Sequence, residues 1–240
     1  MPSADSLDHT VSPARPRPAG RSGPSPHEIA RIASRPALRM TGSFASEKLR
    51  GPVEWTTPEQ RDAMALLELN ADVASYRAWA RDVPLRALGC DLAYRPSMSV
   101  GLRTGGSLVL DVAPDEQVGT PPRVAVEAVV AAACAADGAR FASVRRSSLL
   151  AEPRRGNAWA VLRARGWSFT EDWGFRVARA LSSAGGAAPL GRLRDEAAGG
   201  GRELHAAACV LAMRGRLRLD LGGADPDACV VSLARGRASP

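Results

Sequence analysis

Lysine is almost absent from this chain. Lys48 is the only one, so 31 of the 32 basic side chains are arginine. Away from residue 48, no mechanism can draw on an ammonium group unless arginine substitutes. Arginine stays charged and holds phosphates through paired N–H bonds, but it is a poor proton donor. Histidine and cysteine are scarce as well. His9, His27 and His205 do not cluster with Cys90, Cys134, Cys209 or Cys229, and no cysteines pair at metal-ligand spacing. That argues against zinc. No secretory signal is read at the start, so the expectation is free buried thiols rather than disulfides. Long apolar runs are missing too. The longest uncharged one, Ala128 to Ala136, is far too short to span a bilayer. A soluble, cytoplasmic protein with no membrane partner is the expectation.

What is present is basic. The net charge is +7 and the isoelectric point about 10.2. Such a balance favours an anionic partner, nucleic acid first, although part of the charge sits in the N-terminal tail, where a solvated tail would explain it. Residues 1–50 hold 7 of the 18 prolines among many Ser, Arg and Gly. They read as a disordered basic arm, either inert or a phosphate-binding one.

Order is expected from Gly51. Thr57 and Pro58 read as N-cap and first turn of a helix. "VPLRAL" reads as a strand. Tyr94 to Arg103 and Ser107 to Val112 make a hairpin around Thr104-Gly105-Gly106. Arg123 to Asp137 suits a buried helix that Gly138 ends, and "RFASVR" is a short strand. "GNAWAVLRARG" reads as a helix with Asn157 as N-cap. "SSAGGAAP" reads as a linker. Leu190–Ala198 and Gly201–Arg214 then make two short helices. "RLRLDL" alternates as a half-buried strand should, "GGADPD" turns, and "ACVVSLAR" returns. Two helices followed by a hairpin form a winged-helix pattern in minimal form. The same pattern would also suit an α+β appendage that covers the preceding domain.

Between Pro52 and Arg235 the chain resembles the TnsA family of transposon endonucleases. "TPEQRDAMALLELNADVASY" is similar to that family's opening helix and the step after it, and "VPLRAL" to a segment with a Gln-Pro pair. "YRPSMSV" looks like its Tyr-x-Pro-Asp-Phe-x-Val strand. "GGSLVLDVAPDE" is similar to the strand ending in Glu-Val-Lys, and "LLAEPRRGNAWAVLRARG" to a later Pro-x-x-x-Asn-Ala helix. The resemblance implies an α/β restriction-endonuclease-like PD-(D/E)XK core, a mixed sheet flanked by helices, over residues 51–181. It implies a small winged-helix-like α+β domain over 182–240.

In that fold, acids on the opening helix and both hairpin strands converge on one or two Mg²⁺ ions, which prefer hard oxygen ligands. The metal polarises the phosphate and lowers the pKa of the attacking water. A lysine two residues past the last acid shares its face of the strand and stabilises developing charge. Carried over position by position, the helix glutamate falls on Gln60, the first-strand aspartate on Ser97 and the lysine on Ala113. The Gln of the Gln-Pro pair falls on Val83. Asp111 alone keeps its acid and would be the only metal ligand of an active enzyme. Asp115, Glu116 and Glu127 are the acids of a displaced set, with Arg103 or Arg123 in place of lysine. But Asp115 and Glu116 read as a solvated turn, and Glu127 as an ion-pair partner within an apolar helix.

Three functions compete. The first is a catalytically silent TnsA-like protein, without cofactor, binding DNA or transposition proteins. Its DNA-contact candidates are Arg202, Arg214, Arg216 and Arg218. The second is an active endonuclease with a rearranged site that uses Mg²⁺. The third is a protein-interaction module presenting Trp167, Trp173 and Phe175, although such aromatics more commonly pack between domains.

Overall fold

The computed structural model describes residues 23–34, 40–195 and 200–233. The elements run α1 (Pro26–Ala33), β1 (Gly42–Ser46), β2 (Gly51–Trp55), α2 (Pro58–Leu69), β3 (Val73–Ala78), β4 (Val83–Pro84), β5 (Ala93–Tyr94), β6 (Met98–Leu102) and β7 (Ser107–Ala113). They continue with α3 (Pro121–Ala136), β8 (Ala139–Arg145), α4 (Arg146–Leu149), α5 (Arg154–Leu162), α6 (Glu171–Ser183) and β9 (Ala187–Pro189). Last come α7 (Leu190–Asp195), α8 (Gly201–Met213), β10 (Leu217–Asp220) and β11 (Val230–Leu233). The chain is a mixed α/β protein with a mixed sheet flanked by helices. That sheet has the strand order β3-β6-β7-β8. The four residues joining β6 to β7 are too few for a parallel crossover. β7 and β8 pair in parallel over seven residues, from Ser107↔Ala139 to Ala113↔Arg145, with α3 as the crossover.

By compactness the described residues form two units, which divide differently from the boundary expected at residue 181: 23–34, 77–100 and 105–149 in the first, the remainder in the second. The core of the first unit gathers Ile29, Val83, Leu85, Tyr94, Val126 and Val130. Ile29 corrects the reading of residues 1–50 as a disordered arm. Ser25 accepts from the Glu28 N–H and the Glu28 carboxylate accepts from the Ser25 N–H, a reciprocal cap that starts α1. Ile29 on α1 is fully buried. The prolines at 24 and 26 suit the entry and first turn of this helix, and β1 follows at Gly42. Residues 1–22 and 35–39 of the expected arm lie outside the described residues.

In the second unit α2 begins as expected, with the Thr57 hydroxyl accepting from the Gln60 N–H at 3.2 Å. Its C-terminal carbonyls, Leu67 and Asn70, accept from the Lys48 ammonium at 2.9 and 2.7 Å. A cation there satisfies orphan carbonyls and suits the negative end of the helix dipole. The last elements run helix, strand, helix, helix, strand, strand. Their three strands form an antiparallel sheet in the order β10-β11-β9. α7 and α8 approach so closely that a Cβ on Gly201 would lie 1.8 Å from the Arg194 carbonyl oxygen, so no other residue fits there.

Several local expectations are revised. "VPLRAL" supplies a strand of only two residues before a 3-10 turn at Arg86–Leu88. Asn157 lies inside α5, and its amide donates to the carbonyls of Leu221 and Gly223. The expected linker carries β9, and only the end of the Trp-rich segment, Glu171 to Phe175, enters α6.

Candidate functional site

The hairpin of β6 and β7 brings Ser97 and Asp111 together beneath α3. Asp111 lies on the face of β7 that points to α3, as do Val109 and Ala113, because side chains alternate. Oδ1 of Asp111 accepts from the Ser97 N–H at 2.9 Å and the Ser97 hydroxyl at 2.8 Å. Oδ2 accepts from the Tyr94 hydroxyl and from Nη2 of Arg123, each at 2.5 Å. The Ser97 hydroxyl in turn accepts from the Val112 N–H at 3.0 Å.

Arg123 is held equally fully. Nη1 donates to the Tyr94 oxygen at 2.7 Å, Nε to Glu127 at 2.7 Å and Nη2 also to Ser143 at 3.2 Å. Asp111 and Arg123 are 0% and 1% exposed, so this is a dry ion pair. Burial works against the charge of Arg123. Attraction by Asp111 and Tyr94 outweighs it, and the guanidinium pKa rises. A buried pair survives only when its remaining donors and lone pairs find partners, and here Tyr94, Ser97, Ser143 and Glu127 supply them.

Ala113 is fully buried at the end of β7. Gln60 belongs to the second unit. Its side-chain oxygen accepts from the Thr56 N–H at 2.8 Å and the Thr56 hydroxyl at 3.1 Å. Those bonds tie Thr56, the residue before the Thr57 N-cap, to the first turn of α2. Of the displaced acids, Asp115 accepts from the hydroxyl and N–H of Ser147, Glu116 is exposed, and Glu127 pairs with Arg123. Of the arginines set against the missing lysine, Arg123 does reach the acid. Arg103 donates to the Arg214 carbonyl at 2.8 Å.

A divalent cation does not fit the cluster around Asp111. Its two carboxylates, Asp111 and Glu127, are both bonded to Arg123, whose guanidinium stands where a second positive charge would have to enter. Among the described residues, no three His, Cys, Asp or Glu side chains gather as a ligand set.

The second unit has a buried acid that no motif announced. Glu68, 0% exposed, accepts from the Ser46 hydroxyl at 2.8 Å, the Tyr76 hydroxyl at 2.5 Å and the Lys48 N–H at 3.0 Å. Burial, only partly offset by Glu68, lowers the Lys48 pKa to about 8. Between pH 8 and the ordinary lysine pKa of about 10.4, the unfolded chain holds this proton and the folded chain does not, so Lys48 contributes stability that grows as pH rises. Urea unfolding at pH 7.5 and 9.5 should show a more positive stability change in the wild type than in Lys48→Met. Equal changes would refute it.

Two of the DNA-contact candidates are tied down: Arg214 pairs with Glu47 at 3.0 Å and Arg218 with Asp72 at 2.6 Å. Arg202 and Arg216 are exposed. In the Trp-rich segment, Phe175 is 74% exposed and Trp167 43%, so neither is packed away as such aromatics usually are. Trp173 is half-buried under the Arg176 guanidinium. Among the described residues no helix is long and apolar enough to cross a membrane. No model of a known protein family matches the chain, and no curated protein matches it either.

Proposed function

We propose that this chain is a catalytically silent, TnsA-like protein that binds DNA or a transposition partner. The observation that carries the silent half is the Asp111–Arg123 pair. The one acid retained at the expected metal positions has four hydrogen-bond donors and its own internal cation. A carboxylate so engaged is a structural anion. Gln60 is likewise engaged within the fold, its amide oxygen tying Thr56 to the first turn of α2.

The DNA half rests on the net charge of +7 and on the C-terminal topology. The order α6-β9-α7-α8-β10-β11, with its sheet ordered β10-β11-β9, supports reading this part as winged-helix-like. In this reading α8 is the recognition helix, yet Ala206 through Met213 are all buried. Only its start, with Arg202, faces solvent, and the wing turn carries Asp220, Asp225 and Asp227. Base edges are therefore out of reach for α8, and contact is of the sequence-blind phosphate kind, through Arg202 and Arg216.

Duplex binding is expected to weaken steeply with salt, to differ little among sequences, and to fall in Arg202→Glu/Arg216→Glu. Supercoiled plasmid with Mg²⁺ or Mn²⁺ should stay intact. Nicking that vanishes in Asp111→Ala would establish the rearranged endonuclease instead. Absence of any duplex binding at low salt would remove DNA and leave the protein partner.

A further inference from the structure

The outer strand of the main sheet is open. β8 ends the order β3-β6-β7-β8, and β7 is its one strand neighbour among the described residues. Beyond that ladder, no backbone hydrogen bond among the described residues reaches residues 139–145. The contrast with β7 is sharp. Leu110 to Ala113 of β7 are all buried, whereas every residue of β8 is half-buried or exposed. α3 covers one face of β8, where Ala139 and Phe141 pack on the core, but not its edge. The strand has neither proline nor glycine, so nothing in it blocks a further ladder.

Its charge is one-sided. From Gly138 to Leu149 there are three arginines and no acid. Arg140 and Arg145 stand near the two ends of β8, exposed and on opposite faces. Neither is in an ion pair among the described residues. Asp115 feels Arg145, but its oxygens are bonded to Ser147.

We propose that β8 is a docking edge for an extended acidic segment of another protein, added as a fifth, antiparallel strand. An open edge presents N–H donors and C=O acceptors in alternation. A peptide backbone answers both, whereas a DNA phosphate answers only the donors. A second copy of β8 would bring two more arginines and no acid to the same edge. Charge complementarity thus selects an acidic strand, and the spacing of Arg140 and Arg145 sets its pattern: two acids five residues apart, on opposite faces, with β-branched residues between them. This surface is independent of the DNA reading.

The test uses the full chain and a fluorescein-labelled peptide, Ser-Glu-Val-Thr-Val-Thr-Glu-Ser, followed by anisotropy. Saturable binding is expected, about tenfold tighter than for the same peptide with Arg in place of both Glu. N-methylation of alternate amides should abolish it, and Arg140→Glu/Arg145→Glu, at exposed positions, should reverse the charge preference. No binding of the acidic peptide overturns the proposal. Binding that survives N-methylation does so too, because it would be charge alone. Sedimentation showing a dimer that the acidic peptide cannot dissociate would give the edge to a second copy, and would equally overturn it.

Discussion

Arg123→Met should lower the unfolding free energy by roughly 3–5 kcal/mol, the usual cost of stranding one member of a buried ion pair. The loss is large because Arg123 has four acceptors. Methionine leaves Asp111 fully buried, without its cation and with one donor fewer. Asp111→Asn should be milder, since the amide keeps an oxygen for the Ser97 donors. The double variant Asp111→Asn/Arg123→Met should cost clearly less than the sum, because removing the second charge relieves the first. Urea titrations followed by circular dichroism at pH 7 would measure all three. An Arg123→Met loss below about 1 kcal/mol, a value typical of exposed pairs, would show that the pair is neither dry nor structural.

The same pair explains what could be read from the sequence around the site. The hairpin was legible because "YRPSMSVGLRTGGSLVLDV" carries alternation around a Gly-Gly turn, both local signals. The neighbourhood of Ser97 and Asp111 follows from strand pairing. The role of Arg123 was only half visible. Sequence offers it as a substitute for lysine, but its contacts with Tyr94 and Asp111 reach 29 and 12 residues away, a matter of tertiary packing. Gln60 reads as the place of a lost acid, and its bonds to Thr56 beside the start of α2 are not visible in the sequence. α1 was hidden because proline density masks a capping box, Ser25 to Glu28, whose partner surface lies on the distant α3. α6 was hidden because Trp173 and Gly174 near its start carry little helical propensity, and its buried stripe needs only Val177 and Leu181.

Glu68→Ala is expected to cost about as much as the loss of Arg123, roughly 3–5 kcal/mol, from three stranded donors and a small cavity. The Ser46 hydroxyl, the Tyr76 hydroxyl and the Lys48 N–H all point at this one carboxylate. Tyr76→Phe removes a single bond to a charged group and should cost about 1.5–3 kcal/mol. Glu68→Gln should fall between, since it keeps the volume but turns an amide donor toward groups that are themselves donors. A stability readout alone would not separate a lost charge from a lost shape, and the scarcity of lysine provides the means. Lys48 is the only lysine, so with lysine-selective nitrogen-15 labelling its ammonium can be titrated by NMR with no other lysine signal. Burial holds its pKa near 8 and Glu68 supports the charge. Glu68→Gln should therefore move the midpoint below 8, while Tyr76→Phe, which leaves the carboxylate in place, should move it far less. An unchanged midpoint in Glu68→Gln would mean that the carboxylate and the ammonium do not sense one another, and that Glu68 acts through its hydrogen bonds alone.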